Sequence, residues 1–198
     1  VNSIVRNLSM STSRLDAVVD PAGLTAYTEW TLVFTNASST AREARAEIAL
    51  PPGGTVSRLT LWINDEPREA AFGPRWVVRQ AYQEVAVVQE RDPVLVTTCG
   101  PDRILMQCFP VPANGGTMKV RLGITSPLEP RGDSEALFTL PRFVERNFRL
   151  QENARHSLMI ESPNPIWFGT GKRTDSGFIS QTLTDEELGG TRNVIACA

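Results

Sequence analysis

A chain of 198 residues with 41% hydrophobic and 21% charged residues is long enough for one large domain and has an ordinary globular composition, which excludes a disordered chain. Its 20 basic and 22 acidic residues leave a formal net charge of -2, without the basic excess or stripe that nucleic acid requires, so no nucleic-acid partner is expected. No stretch approaches the ~18 consecutive apolar residues of a membrane span, and Val1 to Met10 lacks the basic start and apolar run of a signal peptide.

The chain opens at Val1 without an initiator Met and closes on the strand-like Ile195-Ala196-Cys197-Ala198, so we expect a piece of a longer protein. The first seventy residues read as strands. Leu24 to Phe34 is β-branched and aromatic, with Trp30, Leu32 and Phe34 on one side and Glu29 and Thr31 on the other. Asn36-Ala37-Ser38-Ser39 turns the chain. Ala44 to Leu50 alternates again, with Ala44, Ala46, Ile48 and Leu50 inward, and Pro51-Pro52-Gly53-Gly54 stops it. Val56 to Ile63 follows, with Leu59, Leu61 and Ile63 on one face, before a turn at Asn64-Asp65-Glu66-Pro67.

The period then changes. Pro74 suits the first position of a helix, and Val77/Val78, Ala81/Tyr82 and Val85 recur at helical spacing. This predicts one short amphipathic helix over Pro74 to Val85, packed on a sheet through Val78, Tyr82 and Val85. After it, Val94 to Cys99 and Ile104 to Phe109 form a hairpin around Gly100-Pro101-Asp102. Pro110 to Gly116 is a loop. Thr117 to Ile124 alternates, with Met118, Val120, Leu122 and Ile124 inward. Ala136 to Pro141, Ser157 to Glu161, Gly177 to Leu183 and Arg192 to Ala196 complete the set. Many short strands between Pro/Gly turns predict an all-β fold, an antiparallel β-sandwich with one short embedded helix.

Groups with catalytic or ligating chemistry are few. In the predicted hairpin Cys99 faces about Arg103 and Cys108 faces about Val94, roughly five residues apart at ~3.3 Å each, beyond disulfide reach. The three cysteines, with Cys197, are expected to be free and mostly buried thiols, and their spacing fits no zinc site. His156 is the only histidine, and no Gly-x-Ser-x-Gly elbow accompanies it, so a structural role is expected. A hydrolase would require it to meet a Ser or Asp in a pocket. Gly169 to Thr174 lacks the first glycine of a phosphate loop, where Ile166 stands, and Arg173 replaces its hydroxyl, so a hairpin loop is expected. Arg131-Gly132-Asp133 is read as turn chemistry rather than a receptor motif, and Asp185-Glu186-Glu187 as a solvated turn. Asn7-Leu8-Ser9 and Asn36-Ala37-Ser38 have the form of glycosylation sequons. Trp76 and Trp167 lie off the regular apolar stripes and, with Asn114 and Lys172 in their loops, are the candidate contact residues.

The middle of the chain resembles a VIT (vault protein inter-alpha-trypsin) domain. The likeness rests on the strand Ala44 to Leu50 running into Pro51-Pro52-Gly53-Gly54-Thr55-Val56 and on the strand Leu59 to Asn64. It continues through a helix carrying Ala81 and Tyr82, adjacent here rather than spaced as in the family, and through the hairpin Val94 to Phe109. The loop Phe109 to Gly115 then leads into Met118 to Ile124 and Ser126-Pro127-Leu128. It covers about residues 20 to 145 and implies a binding or scaffolding sandwich with no catalytic residues to carry over. A frequent neighbour, the von Willebrand A domain, binds metal through Asp-x-Ser-x-Ser. That motif is absent here. Some bacterial members sit in integral membrane proteins of PEP-CTERM-type sorting systems.

The expected organisation is therefore a VIT-like sandwich over 1-145 and a β extension over 146-198 that completes it or is appended to it. The expected function is a non-enzymatic protein-interaction or scaffolding module of a membrane-anchored or secreted envelope protein, without cofactor or metal, binding an unknown protein partner. The alternative is a sandwich that binds carbohydrate or another small ligand.

Overall fold

A computed structural model of the protein describes residues 3–63, 65–73, 80, 94–190 and 193–197. The helix predicted over Pro74 to Val85, and Trp76 with it, lies outside the described residues apart from Gln80. Strands dominate. The long early ones are β1 (Leu8–Asp20), β2 (Thr25–Asn36), β3 (Arg42–Ala49), β4 (Thr55–Ile63) and β5 (Glu66–Glu69). Then come β6 (Val94–Gly100), β7 (Arg103–Val111), β8 (Gly116–Pro127), β9 (Glu129–Arg131), β10 (Glu135–Thr139) and β11 (Arg142–Arg146). The last part holds β12 (Arg149–Leu150), β13 (His156–Glu161), β14 (Ile166–Phe168), β15 (Phe178–Leu183), the helix α1 (Asp185–Gly189) and β16 (Asn193–Cys197).

These strands form three sheets. The eight-stranded sheet runs β15-β13-β1-β2-β8-β4-β5, with β12 also on β1. Two four-stranded sheets run β14-β16-β10-β9 and β11-β3-β7-β6. Most pairs are antiparallel, as expected, but β1 pairs with β12 and β13 in parallel. Parallel neighbours cannot be joined by a tight hairpin, so this contact ties the last fifty residues to the first twenty across the whole chain.

The alternating strands place their apolar sets as the sequence predicts. Trp30, Leu32 and Phe34 are buried, as are Ala44, Ala46, Ile48 and Leu50, and Met118, Val120, Leu122 and Ile124. Trp30 meets Phe143 of β11 at a ring-centroid distance of 4.6 Å, and Phe34 meets Phe148 at 4.9 Å, so aromatic side chains join the large sheet to the layer opposite. Buried residues of all three sheets belong to one continuous core. Each large apolar side chain fully buried there contributes ~1.5–3 kcal/mol relative to exposure.

At several points the structure adds to the reading of the sequence or corrects it. β1 is a thirteen-residue strand in the middle of the large sheet, although its sequence offers no clean alternation. Asp185-Glu186-Glu187 is the first turn of α1, not an open turn. Thr184 Oγ1 accepts from Glu187 N–H at 3.1 Å, and Glu187 Oε2 accepts from Thr184 N–H at 2.8 Å, a reciprocal cap. Arg131-Gly132-Asp133 is an exposed turn between β9 and β10, with Gly132 at φ +68°, a left-handed conformation that suits glycine. Of the two sequons, Asn7 is exposed. Asn36 is buried, and its Nδ2 donates to Thr40 C=O at 2.8 Å and to Val111 C=O at 3.0 Å, so that amide is already committed.

Candidate interaction surface

Trp167, a candidate contact residue, lies in a strand. Ile166, Trp167 and Phe168 of β14 pair with Ala196, Ile195 and Val194 of β16. β16 in turn pairs Ile195 with Leu137 of β10, and Leu137 pairs with Glu129 of β9. Directly paired residues share a sheet face, so Trp167, Ile195, Leu137 and Glu129 form one row across the outer face of this four-stranded sheet. Ala136 and Phe138 point the other way, into the core.

Trp167 is only 8% exposed and Ile195 only 5%, so neither offers much contact area. The cover over Trp167 is Arg173, whose guanidinium centre lies 5.1 Å from the ring centroid. Arg173 Nη2 also donates to Cys197 Sγ at 3.0 Å. The cation thus rests between an aromatic face and a thiol at the exposed rim, and Lys172 beside it is exposed. Next to this face opens a cleft of about 410 Å³. Leu137 and Phe168 give it apolar walls, while Glu129, Arg131, Thr170 and Asn193 supply a mixed polar rim.

Asn114 sits elsewhere. It occupies the β7–β8 turn at φ 58°, exposed, with its N–H donating to Ser38 C=O at 2.8 Å. The cleft lies beyond the far end of β8, whose twelve residues rise by ~3.3 Å each. Lys172 therefore adjoins Arg173 of the Trp167 rim in the chain, and Asn114 does not join them.

Among the described residues no disulfide joins the cysteines, and they are not uniformly buried: Cys108 is buried, Cys99 is exposed and Cys197 is intermediate. Val94 faces Cys108 as the hairpin register requires. The ladder slips between Thr98 and Gly100, so Cys99 falls in the irregularity instead of facing Arg103. Burial pushes the Cys108 thiol well above its ordinary range, with nearby Glu43 adding to it.

A second cluster, which the sequence does not bring together, surrounds His156. Its Nδ1 lies 2.7 Å from Ser13 Oγ and its Nε2 3.4 Å from Asp185 Oδ1. Trp30 Nε1 donates to Ser13 Oγ at 2.9 Å. Indole can only donate, so Ser13 accepts from Trp30 and can pass its own hydrogen to Nδ1, leaving Nε2–H for Asp185. Arg146 grips the same carboxylate with two 2.6 Å hydrogen bonds. That guanidinium, and secondarily His156, holds the Asp185 carboxyl far below the usual carboxylate range. A Ser, His and Asp in hydrogen-bond sequence is the order of a hydrolytic triad. Here, however, Ser13 is 3% exposed and His156 fully buried, and Ser13 Oγ is enclosed by Trp30 and His156 rather than directed at a cleft. Strand alternation with Leu158 and Ile160 was the available signal that His156 points inward.

The family model of the vault protein inter-alpha-trypsin domain matches residues 13–124. No curated protein matches the chain. Among solved structures, native yeast LTA4 hydrolase superposes with a TM-score of 0.51 at 7% identity, covering 97% of this chain and 29% of that one. An M1 zinc metallopeptidase from Deinococcus radiodurans gives a TM-score of 0.49 at 14% identity, covering 98% of this chain and 43% of that one. The chain spans under half the length of either structure, and the likeness to the yeast enzyme is one of fold alone.

Proposed function

This chain belongs to the vault protein inter-alpha-trypsin domain family, and on that premise we propose that it serves as a non-enzymatic interaction module of a larger protein, presenting the rim around Trp167 to a protein partner. The observation that carries this reading is the cleft beside that rim. It has apolar walls at Leu137 and Phe168 and charges of both signs at its edge, a composition that suits a mixed peptide surface. The Ser13–His156–Asp185 cluster supports a non-enzymatic role, because its hydroxyl has no open face for a substrate to approach. Arg173 over the Trp167 ring favours protein over carbohydrate, since a sugar stacks on an open aromatic face. The parent protein is proposed to be a bacterial envelope protein, anchored in the membrane outside this chain, with a sorting-associated role.

The test is capture from an envelope extract of the source organism by the whole chain, compared with Leu137→Glu and Arg173→Glu variants. Both positions lie at the cleft or its rim rather than in the core. One partner held by the wild type, lost by both variants and kept by Asn114→Ala is the expected result. Capture that ignores Leu137→Glu and Arg173→Glu while folding is intact would move the contact surface elsewhere.

A further inference from the structure

An exposed sheet edge presents unpaired backbone groups to any passing strand, and folded proteins blunt such edges with charge, proline, bulges or brevity. Among the described residues the three strand orders have six ends, and five of them are blunted. β5 is four residues with Pro67 and three charges, and β9 is three residues with Pro130 and two charges. β14 has only three residues. β11 carries charges and a register break between Phe143 and Glu145, and β6 a break between Thr98 and Gly100. The sixth, β15, has none of these. It is six residues without charge or proline, and its register against β13 runs unbroken from Phe178↔Glu161 to Leu183↔His156. Among the described residues no strand pairs with its other side.

The backbone parity of that edge is fixed. Ser162 N–H donates to Gly177 C=O at 2.8 Å, so Gly177, Ile179, Gln181 and Leu183 turn their backbone groups toward β13. Phe178, Ser180 and Thr182 turn theirs outward. Phe178 is satisfied locally, since Ser176 Oγ accepts from its N–H at 3.1 Å and lies 3.4 Å from its C=O. Beyond Leu183, Thr184 N–H is taken by Glu187. The open stretch is therefore Ser180 to Thr182, and all three of its residues are exposed.

The sequence around that stretch reads the same chemically from either end: Ile179, Ser180, Gln181, Thr182, Leu183. We propose that two copies of this chain associate by antiparallel pairing of their β15 strands about a two-fold axis at Gln181, joining the two large sheets into one. In that register Ser180 faces the partner copy's Thr182, and these are the residues whose N–H and C=O point outward, so the hydrogen-bonded pairs fall where free groups exist. Ile179 faces the second copy's Leu183 on the inner side, and Gln181 faces its own counterpart. Shifting by one residue would set outward hydroxyls against inward apolar groups. A symmetric dimer needs a self-complementary patch, and this strand is one. The inference does not depend on the partner-binding reading above.

Sedimentation equilibrium of the whole chain, from micromolar to hundreds of micromolar, tests it with Gln181→Lys and Gln181→Glu. Gln181 is exposed, so both variants should unfold at the wild-type temperature. Like charges set opposite each other on the axis oppose pairing, so each variant alone should dimerise about threefold to fivefold more weakly. An equimolar mixture of the two should regain association, because Lys then faces Glu. A wild type monomeric throughout the range would overturn the proposal and leave the edge to a strand of another protein. Dimers indifferent to both substitutions, or a mixture that fails to recover, would equally overturn the β15 register.

Discussion

Arg146, Asp185, His156 and Ser13 form a polar chain from the surface to the core, and its members fail in different ways. Asp185 is partly exposed, so the Arg146 contact is screened, and Asp185→Asn is expected to cost about 1 kcal/mol at neutral pH. Its carboxyl is held below the unfolded value, so its contribution is complete above the ordinary carboxylate pKa of ~4 and fades as pH falls toward the depressed one. Urea unfolding should therefore show wild type and Asp185→Asn well separated at neutral pH and converging in acid. A gap that stays constant into acid would refute the role given to this carboxylate. Deeper in, Ser13→Ala leaves the buried Trp30 N–H without its acceptor, for an expected loss of ~1–3 kcal/mol. That loss should show in the urea midpoint with the slope unchanged. None of this cluster is legible as a unit in the sequence, because residues 13, 156 and 185 meet only through the parallel β1–β13 pair and the cap of α1.

At the scale of elements, β8 shows how closely strands approach on the outer face of the large sheet. A Cβ on Gly123 would lie 2.5 Å from Tyr27 Oη and 2.7 Å from Arg58 Cβ. Those side chains belong to a network in which Tyr27 Oη donates to Glu29 at 3.2 Å and Arg58 reaches Glu69 at 2.9 Å. Gly123→Ala must displace that network, and a loss of ~1–3 kcal/mol is expected in thermal or urea unfolding. Adding Tyr27→Ala should recover part of it by removing the nearer obstacle; additive losses would mean the glycine is needed for some other reason. How far elements were legible depends on parity. β2, β3 and β8 keep one alternation along their buried faces, and each was placed from sequence within a few residues. β1 buries Leu8 and Met10, then Ser13, Leu15, Ala17 and Val19, because a register shift between Met10 and Thr12 switches the inward parity. That switch, together with a buried serine, erases the period-two signal. β14 hid Trp167 for a different reason: three residues are too few to show alternation, so the residue read as a loop contact lies nearly buried in a sheet.

At the scale of the whole molecule, the question is what the last fifty residues do for the rest. β13 covers one side of β1 along six residue pairs, from Ser13↔His156 to Val18↔Glu161. Phe148, Leu158, Ile160, Val194 and Ala196 lie in the same core as Trp30 and Phe34. Removing residues 146–198 would uncover the β1 edge and the inner-face contacts of Phe34 with Phe148, and would strip β16 from β10. Core substitutions that delete one large side chain already cost ~2–5 kcal/mol, and a domain has only ~5–15 kcal/mol in hand. A chain ending at residue 145 is therefore expected to lose cooperative unfolding and near-ultraviolet circular dichroism, and to bind a hydrophobic dye that the full chain does not. Retention of a sharp thermal transition by the shorter chain would instead make the final strands an appended layer on an independent sandwich. The family match ends at residue 124, so it does not decide between these outcomes, whereas the parallel β1–β13 seam and the shared core argue for the first.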